Sequence, residues 1–149
     1  AQLIGVLNQI DTYFRLADGR LKRREAEGEP VEWIYYHRAD RIEPRLCHYS
    51  ILSDAQAARR WGTMSLKPWL TVRKTRELWM QENVRIHLDE VEELGSFIEF
   101  EAIVARDFPV TTCREQVVGL REVFAPILGE PVSRGYADLM ADQMETAEE

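Results

Sequence analysis

Strict period-two alternation in residues 85–104, RIHLDEVEELGSFIEFEAIV, is the sequence feature that most constrains the fold. Side chains alternate between the two faces of a β-strand, so such a pattern gives each strand one apolar and one ionisable face. A turn near Gly95 separates two strands of this kind. The ionisable members of the pattern are Arg85, His87, Asp89, Glu99 and Glu101.

The same alternation recurs in LKRRE, YYHR and VRKTR, where the polar set is almost entirely basic. Its cationic members are Lys22, Arg24, Arg38, Lys74 and Arg76. Strands of this kind facing the carboxylate strands predict a concave site for a polyanion and its metal.

Composition limits the classes of protein that remain. A chain of 149 residues and 17.4 kDa with 45% hydrophobic residues fits a single domain, 1–149, with a packed core. A net charge of -7 and a pI near 5.1 argue against a partner that is a nucleic acid polymer. No apolar run has the length of a membrane span, so no membrane partner is expected. Cys47 and Cys113 lack the spacing of a zinc or redox site, and we expect a cytoplasmic location.

Turn signals and alternation predict seven antiparallel strands, and the fold class is α+β, predominantly β. The predicted strands span about 4–16, 20–25, 31–38, 45–52, 69–78, 84–91 and 97–106. If they close into a barrel, the apolar faces pack under helices and the charged faces line a wet interior.

Three helices are predicted between and after these strands. The first spans 53–62, with Ser53 or Asp54 as N-cap and a stop at Gly62. The second begins near Thr112, because Thr112 and Glu115 have the spacing of a capping box. A short third helix is expected over 136–144, and the acidic tail 145–149 is expected to be mobile.

Six pieces of the sequence, in order and covering most of the chain, resemble the CYTH domain of the triphosphate tunnel metalloenzymes. That family includes class IV adenylyl cyclases, thiamine triphosphatases and inorganic triphosphatases. The pieces are QIDTYF (9–14), GRLKRRE (19–25), YYHRAD (35–40), VRKTR (72–76), RIHLDEVEELGSFIEFE (85–101) and GYADLM (135–140). The resemblance implies an eight-stranded antiparallel barrel with a cationic tunnel and flanking helices.

One part of the family pattern is absent. The family's first strand carries an E-x-E-x-K motif, which supplies two metal-binding carboxylates and a phosphate-binding lysine. Nothing before Gln9 matches it. We therefore expect the sequence to be truncated at its N-terminus, a lost motif being the alternative. An open seam is expected beside the gap, and its unpaired edges would invite a homodimer.

The resemblance assigns roles to the alternating residues. Asp89, Glu99 and Glu101 are expected to bind Mg²⁺ or Mn²⁺, which prefer oxygen ligands. The expected phosphate contacts are Lys22, Arg24, Arg38, Lys74, Arg76 and Arg85. His87 could donate to a phosphate, act as an acid or base, or hydrogen-bond to a ligating carboxylate. Tyr13 and Tyr36 either line the tunnel or pack.

The expected function is a divalent-metal-dependent enzyme that acts on a triphosphate: ATP, thiamine triphosphate or tripolyphosphate. Adenylyl cyclisation and triphosphate hydrolysis both remain open, because both need the same charge stabilisation and no adenine pocket or general base can be identified. A catalytically silent polyphosphate- or nucleotide-binding module is the alternative from another class.

Overall fold

The computed structural model describes residues 1–37 and 47–148, and its regular structure consists of seven antiparallel strands, three α-helices and two short 3₁₀ helices. The strands are β1 (Gln2–Arg15), β2 (Arg20–Ala26), β3 (Glu32–Tyr36), β4 (Tyr49–Leu52), β5 (Pro68–Gln81), β6 (Val84–Val91) and β7 (Gly95–Ala102). The helices are α1 (Asp54–Trp61), α2 (Val110–Phe124) and α3 (Tyr136–Glu148). None of the helices in the described residues combines the length and apolar composition that a bilayer crossing requires.

The strands form one sheet in the order β4-β3-β2-β1-β5-β6-β7. The predicted antiparallel, mainly β fold with flanking helices is therefore confirmed. The sheet is not closed: among the described residues β4 and β7 each pair on one side only, so an open seam separates them. The first half of β1 is also partnered on one side, because β2 pairs only with Gln9–Arg15.

A glycine permits the tight turn between β1 and β2. Gly19 has a φ of +81°, and a Cβ built there would lie 2.6 Å from the ring of Tyr35. Only a residue without a side chain fits both the positive φ and this close approach. The turn sets the β1–β2 register, in which Asp11 lies opposite Arg24.

Two apolar cores form on opposite faces of the sheet. On the outer face, α1 places Ala57 against Phe14, Leu21 and Trp33. On the concave face, α3 packs across β1, β5 and β6 around a core of Tyr13, Leu70, Val72, Val91, Ala137 and Met140. Helix α2 packs under the far edge, where the rings of Phe100 and Phe124 are 5.7 Å apart. The concave face is thus apolar at the end that α3 covers.

The helix boundaries partly match those predicted. Helix α1 has the expected N-cap, Ser53, in a full capping box with Gln56, and ends at Gly62. Helix α2 begins at Val110 rather than near Thr112, because Pro109, with φ fixed near −68°, is its N-cap and Thr112 lies in its first turn. The predicted Thr112 capping box is therefore wrong. Helix α3 continues to Glu148, through most of the tail that was expected to be mobile.

Candidate functional site

Strand register brings the alternating charged residues onto one concave face. Directly opposite pairs are Asp11 with Arg24, Gln9 with Lys74, Arg76 with Asp89, His87 with Glu99 and Arg85 with Glu101. Residues opposite each other in an antiparallel pair point to the same face. Five strands, β1, β2, β5, β6 and β7, therefore contribute to a single polar surface.

Asp11 is the centre of this surface and has no exposed area. Its two carboxylate oxygens accept from Nε and Nη2 of Arg24, both at 2.9 Å. Oδ2 also accepts from Nζ of Lys74 at 2.7 Å. Nζ of Lys22 lies 3.8 Å from the same oxygen, within ion-pair distance. One buried carboxylate thus holds cations from two neighbouring strands.

These cations decide the charge state of Asp11. Burial alone would raise the pKa of its carboxyl group. The charges of Lys22 and Lys74 and the hydrogen bonds from Arg24 oppose burial and hold that pKa well below its usual range. Asp11 is therefore ionised throughout the ordinary pH range.

A second buried carboxylate, Asp89, holds Arg76. Its two oxygens accept from Nε and Nη2 of Arg76, both at 2.8 Å, and Oδ2 also accepts from the hydroxyl of Tyr136 at 2.7 Å. Burial opposes ionisation, but these bonds lower the pKa of Asp89 and raise that of Arg76. Helix α3 thereby reaches into the polar surface through Tyr136.

The pKa values of Lys22 and Lys74 lie well below that of a free lysine. Burial, reinforced by the neighbouring guanidinium of Arg24, lowers the pKa of Lys22 to about 7, although Asp11 opposes this. Burial also lowers the pKa of Lys74 to about 8, again against the attraction of Asp11. Nζ of Lys22 lies 5.8 Å from the ring centroid of Tyr13 and 5.4 Å from that of Tyr36. Both tyrosines therefore face the polar surface, and Tyr13 also packs in the core.

The acidic end of the surface lies on β6 and β7. Nδ1 of buried His87 is 3.6 Å from Oε1 of Glu99, which is beyond hydrogen-bond distance. Burial would raise the pKa of Glu99, but His87 and Arg76 lower it overall. Oε1 of Glu101 lies 3.4 Å from Nη1 of Arg85. Both side chains are partly exposed, which places this pair at the rim.

The predicted metal ligands are not gathered into one cluster. Among the described residues, no group of three His, Cys, Asp or Glu side chains is arranged to hold a metal ion. Asp89 uses both oxygens on Arg76 and Tyr136, so in this arrangement it is the counter-ion of Arg76. Glu99 and Glu101 share the concave face of β7, but two carboxylates alone do not complete a site for a hard cation.

The predicted phosphate contacts occupy different positions on this face. Lys22, Arg24, Lys74 and Arg76 lie together on it, whereas Arg85 lies at the rim. Arg38 lies outside the described residues. Against these four inner cations stand the fully buried carboxylates of Asp11 and Asp89 and the carboxylate of Glu99 on the same face, which leaves a surplus of one positive charge when both lysines are protonated.

Sequence reasoning missed two members of the site, Asp11 and Tyr136. Asp11 has the period-two spacing of Gln9 and Tyr13 within QIDTYF, and that spacing could have revealed it. Tyr136 lies in GYADLM, but nothing in its helix predicts contact with a strand 47 residues earlier. Gln9 is also buried on this face, and its Oε1 has no hydrogen-bond partner among the described residues.

Known structures share this fold. A Pyrococcus horikoshii protein superposes with a TM-score of 0.71 at 22% identity, over 93% of this chain and 85% of that one. A Vibrio parahaemolyticus protein superposes with a TM-score of 0.67 at 18% identity, over 94% and 84% of the two chains. The latter bears the name "putative adenylate cyclase". At these identities the likeness shows the fold alone.

Sequence comparison shows the family. A Methanocaldococcus jannaschii protein that bears the same name is 27% identical over 100 residues, which are 66% of this chain and 57% of that protein. The chain therefore spans little more than half the length of this curated relative. The family model described as the CYTH domain matches residues 1–134, most of the chain. The chain belongs to the CYTH domain family.

Proposed function

We propose that the concave face binds the phosphates of a triphosphate, and that the protein acts on this ligand as an enzyme. The observation that carries the proposal is the surplus of buried cations around Asp11 and Asp89. A triphosphate carries about four negative charges near neutral pH, and arginine forks match phosphate oxygens. The proposed contacts are Lys22, Arg24, Arg38, Lys74 and Arg76, with Arg85 at the entrance.

Two reactions suit such a site. In a cyclase, the ribose 3′-hydroxyl of ATP attacks the α-phosphorus and pyrophosphate leaves. In a triphosphatase, water attacks the terminal phosphorus. The buried cations would stabilise the charge on the transferred group and leaving oxygens in either reaction. Because the Methanocaldococcus jannaschii relative bears the name "putative adenylate cyclase", ATP cyclisation is the first reaction to test.

We keep a divalent cation, Mg²⁺ or Mn²⁺, as part of the proposal, with Glu99 and Glu101 as its candidate ligands. When bound, such an ion would neutralise phosphate charge. The described residues supply an incomplete set of ligands, so no step of the reaction is derived through the ion. We also keep the cytoplasm as the proposed location, because Cys47 and Cys113 lack the spacing of a redox or zinc site.

A catalytically silent module that binds polyphosphate is the second candidate. The observation in its favour is that no three potential metal-binding side chains cluster among the described residues. Binding by such a module would persist in a chelator, because it depends on the cations of the concave face alone.

Calorimetric titration with tripolyphosphate tests the binding step, with and without EDTA. We expect saturable binding and a rise in melting temperature that grows with ligand concentration. Lys22→Met should weaken binding by about tenfold or more, because charge-assisted hydrogen bonds to phosphate are strong. Arg59→Gln, on exposed helix α1, is the matched loss of one cation away from the site. No binding by the parent protein would refute the proposal.

Turnover assays separate the enzyme from the silent module. Release of phosphate and of cyclic AMP would be measured from ATP, tripolyphosphate and thiamine triphosphate with Mg²⁺ or Mn²⁺. Glu99→Gln and Glu101→Gln keep the shape of the side chain but remove its charge. They should lower turnover by about 10²-fold or more and raise the metal requirement, with little loss of stability. Anion binding without turnover, or Gln variants as active as the parent, would favour the silent module.

A further inference from the structure

We propose that Tyr136 is a positioning residue, which acts through Asp89 to fix the Arg76 guanidinium in its anion-binding orientation. This inference rests on the proposed function and assigns a role to helix α3. The tyrosine reaches the concave face from the first residue of that helix. It therefore couples the position of α3 to the cationic surface.

The three groups form one continuous chain of hydrogen bonds. The Tyr136 hydroxyl donates to Oδ2 of Asp89 at 2.7 Å, and that oxygen also accepts from Nη2 of Arg76 at 2.8 Å. Oδ1 accepts from Nε of Arg76 at 2.8 Å. The carboxylate plane thus has three donors, two from one guanidinium and one from the helix. With the hydroxyl in place, the carboxylate resists rotation away from the Arg76 fork.

Neighbouring contacts hold the tyrosine where it can act. Its ring lies 5.1 Å from that of Phe97 in an edge-to-face arrangement, and Nζ of Lys74 lies 5.7 Å from its centroid. Two residues further along the helix, Asp138 accepts from Nη1 of Arg20 on β2 at 2.6 Å. Ala137 is buried in the concave core. Helix α3 is therefore fastened to both halves of the sheet at its first turn.

A neutral donor suits this position because it orients Asp89 without cancelling its charge. Burial, together with the charges of Asp89 and Glu99, raises the pKa of Tyr136, so the hydroxyl keeps its proton. A cation in the same place would compete with Arg76 for the carboxylate. With the hydroxyl absent, Oδ2 keeps a single donor, and the nearby charge of Lys74 can draw the carboxylate away from Arg76.

The first test is tripolyphosphate binding by Tyr136→Phe, which removes the hydroxyl and keeps the ring packed on Phe97. We expect affinity to fall about 3- to 10-fold, the size of one hydrogen bond. Asp142→Asn is the matched control, because Asp142 lies on the same helix, is exposed, and pairs with Arg134, which precedes the helix. The control should bind like the parent.

A double-mutant cycle shows whether Tyr136 acts through Arg76. Arg76→Lys keeps the buried positive charge, so the protein should still fold, but it lacks the fork that Asp89 aligns. In that background Tyr136→Phe should change affinity by less than about twofold, since the aligned fork is already gone. A purely structural role for Tyr136 would give the same fold-change in both backgrounds.

An NMR spectrum of the ligand-free protein provides a readout that does not depend on tripolyphosphate binding. The Nε–H signal of Arg76 should exchange slowly with water in the parent and faster in Tyr136→Phe, while that of Arg24 stays unchanged. If the parent binds tripolyphosphate but Tyr136→Phe binds equally well, or the cycle is additive, this inference is overturned and the proposed function stands. If the parent binds no tripolyphosphate, the proposed function and this inference are both refuted.

Discussion

At the scale of the residue, Asp11 organises the site. It has no exposed area, and it receives Arg24 from β2 and Lys74 from β5. Burying several like charges is tolerable only when a counter-ion accompanies them. The negative charge of Asp11 therefore stabilises the clustered cations in the ligand-free protein.

Asp11→Asn should therefore destabilise the fold severely. The amide cannot balance Arg24 and Lys74, so we expect a loss of about 3–5 kcal/mol in the free energy of unfolding. Asp18→Asn is the control, because 85% of that side chain is exposed beside His37, and its effect should stay within about 0.5 kcal/mol. Urea denaturation monitored by circular dichroism measures both. Equal effects for the two variants would contradict the assignment.

The buried lysines predict opposite pH trends for binding and for stability. Lys22 loses its charge as pH rises through about 7 and Lys74 through about 8, so tripolyphosphate affinity should fall between pH 6 and 9. The facing charges are Asp11 on β1, Arg24 on β2, Arg76 on β5 and Glu99 on β7, and these keep their charge over this range.

Stability should change in the other direction. With the folded-state pKa values below that of free lysine, the unfolded chain binds more protons between pH 7 and about 10.4. The free energy of unfolding of the ligand-free protein should then rise across that window, by up to about 1.4 kcal/mol per pH unit for each lysine. Lys22→Met should flatten both trends. A parent protein whose affinity stays constant from pH 6 to 9 would contradict the low pKa values of the two lysines.

The sequence predicted which residues share a face but not which of them pair. Period two places Lys22 with Arg24 and Lys74 with Arg76, as the strands confirm. Pairing depends on register and strand order, and β1 lies between β2 and β5 although 52 residues separate it from β5. For this reason the counter-ions, Asp11 for Arg24 and Asp89 for Arg76, became visible only in three dimensions.

At the scale of the element, the local sequence predicted the bounds of the strands and of α1 well. It predicted the bounds of helices α2 and α3 less well. Strand β6 spans the predicted residues, and α1 has the predicted caps at Ser53 and Gly62. The capping signal at Thr112 failed because Pro109, three residues earlier, is already the N-cap and the helix begins at Val110. The predicted end of α3 near 144 was wrong: no helix-stopping glycine or proline follows Met144, and the helix continues to Glu148.

Two glycines in different backbone conformations provide a matched test of this local account. Gly62 ends α1 at φ 59°, where a Cβ is strained, so Gly62→Ala should lower the free energy of unfolding by about 1 kcal/mol. Gly119 lies inside α2 without a positive φ, and a Cβ there meets nothing within 4 Å. Gly119→Ala should raise stability by about 0.5–1 kcal/mol. Thermal denaturation measures both, and shifts of the same sign would contradict the assigned conformations.

At the scale of the whole molecule, the sheet is curved, charged on its concave face and open at its edges. Strands β4 and β7 lack a second partner among the described residues, and so does the first half of β1. That half of β1 carries no charged residue, and Leu3, Ile4 and Val6 are exposed. Uncharged, apolar edges of this kind pair readily with other strands.

We therefore expect self-association that depends on concentration, with a homodimer as the first species. Val6→Lys places a charge on the unpaired part of β1, away from the concave face, and should shift the protein toward monomer. Met64→Lys is the control, because Met64 is fully exposed and lies outside the sheet. Light scattering over a concentration series measures the effect. A parent that stays monomeric at all concentrations would contradict this expectation.

The central claim is that the concave face, and not the protein's surface in general, binds the phosphates of a triphosphate. Side-chain nitrogen signals of lysine and arginine, followed by NMR during titration with tripolyphosphate, test it most directly. We expect saturable shifts for Lys22, Arg24, Lys74 and Arg76, and none for Arg73, which is exposed on the outer face of β5. Shifts that are confined to outer-face residues, or spread evenly over all cations, would contradict the claim.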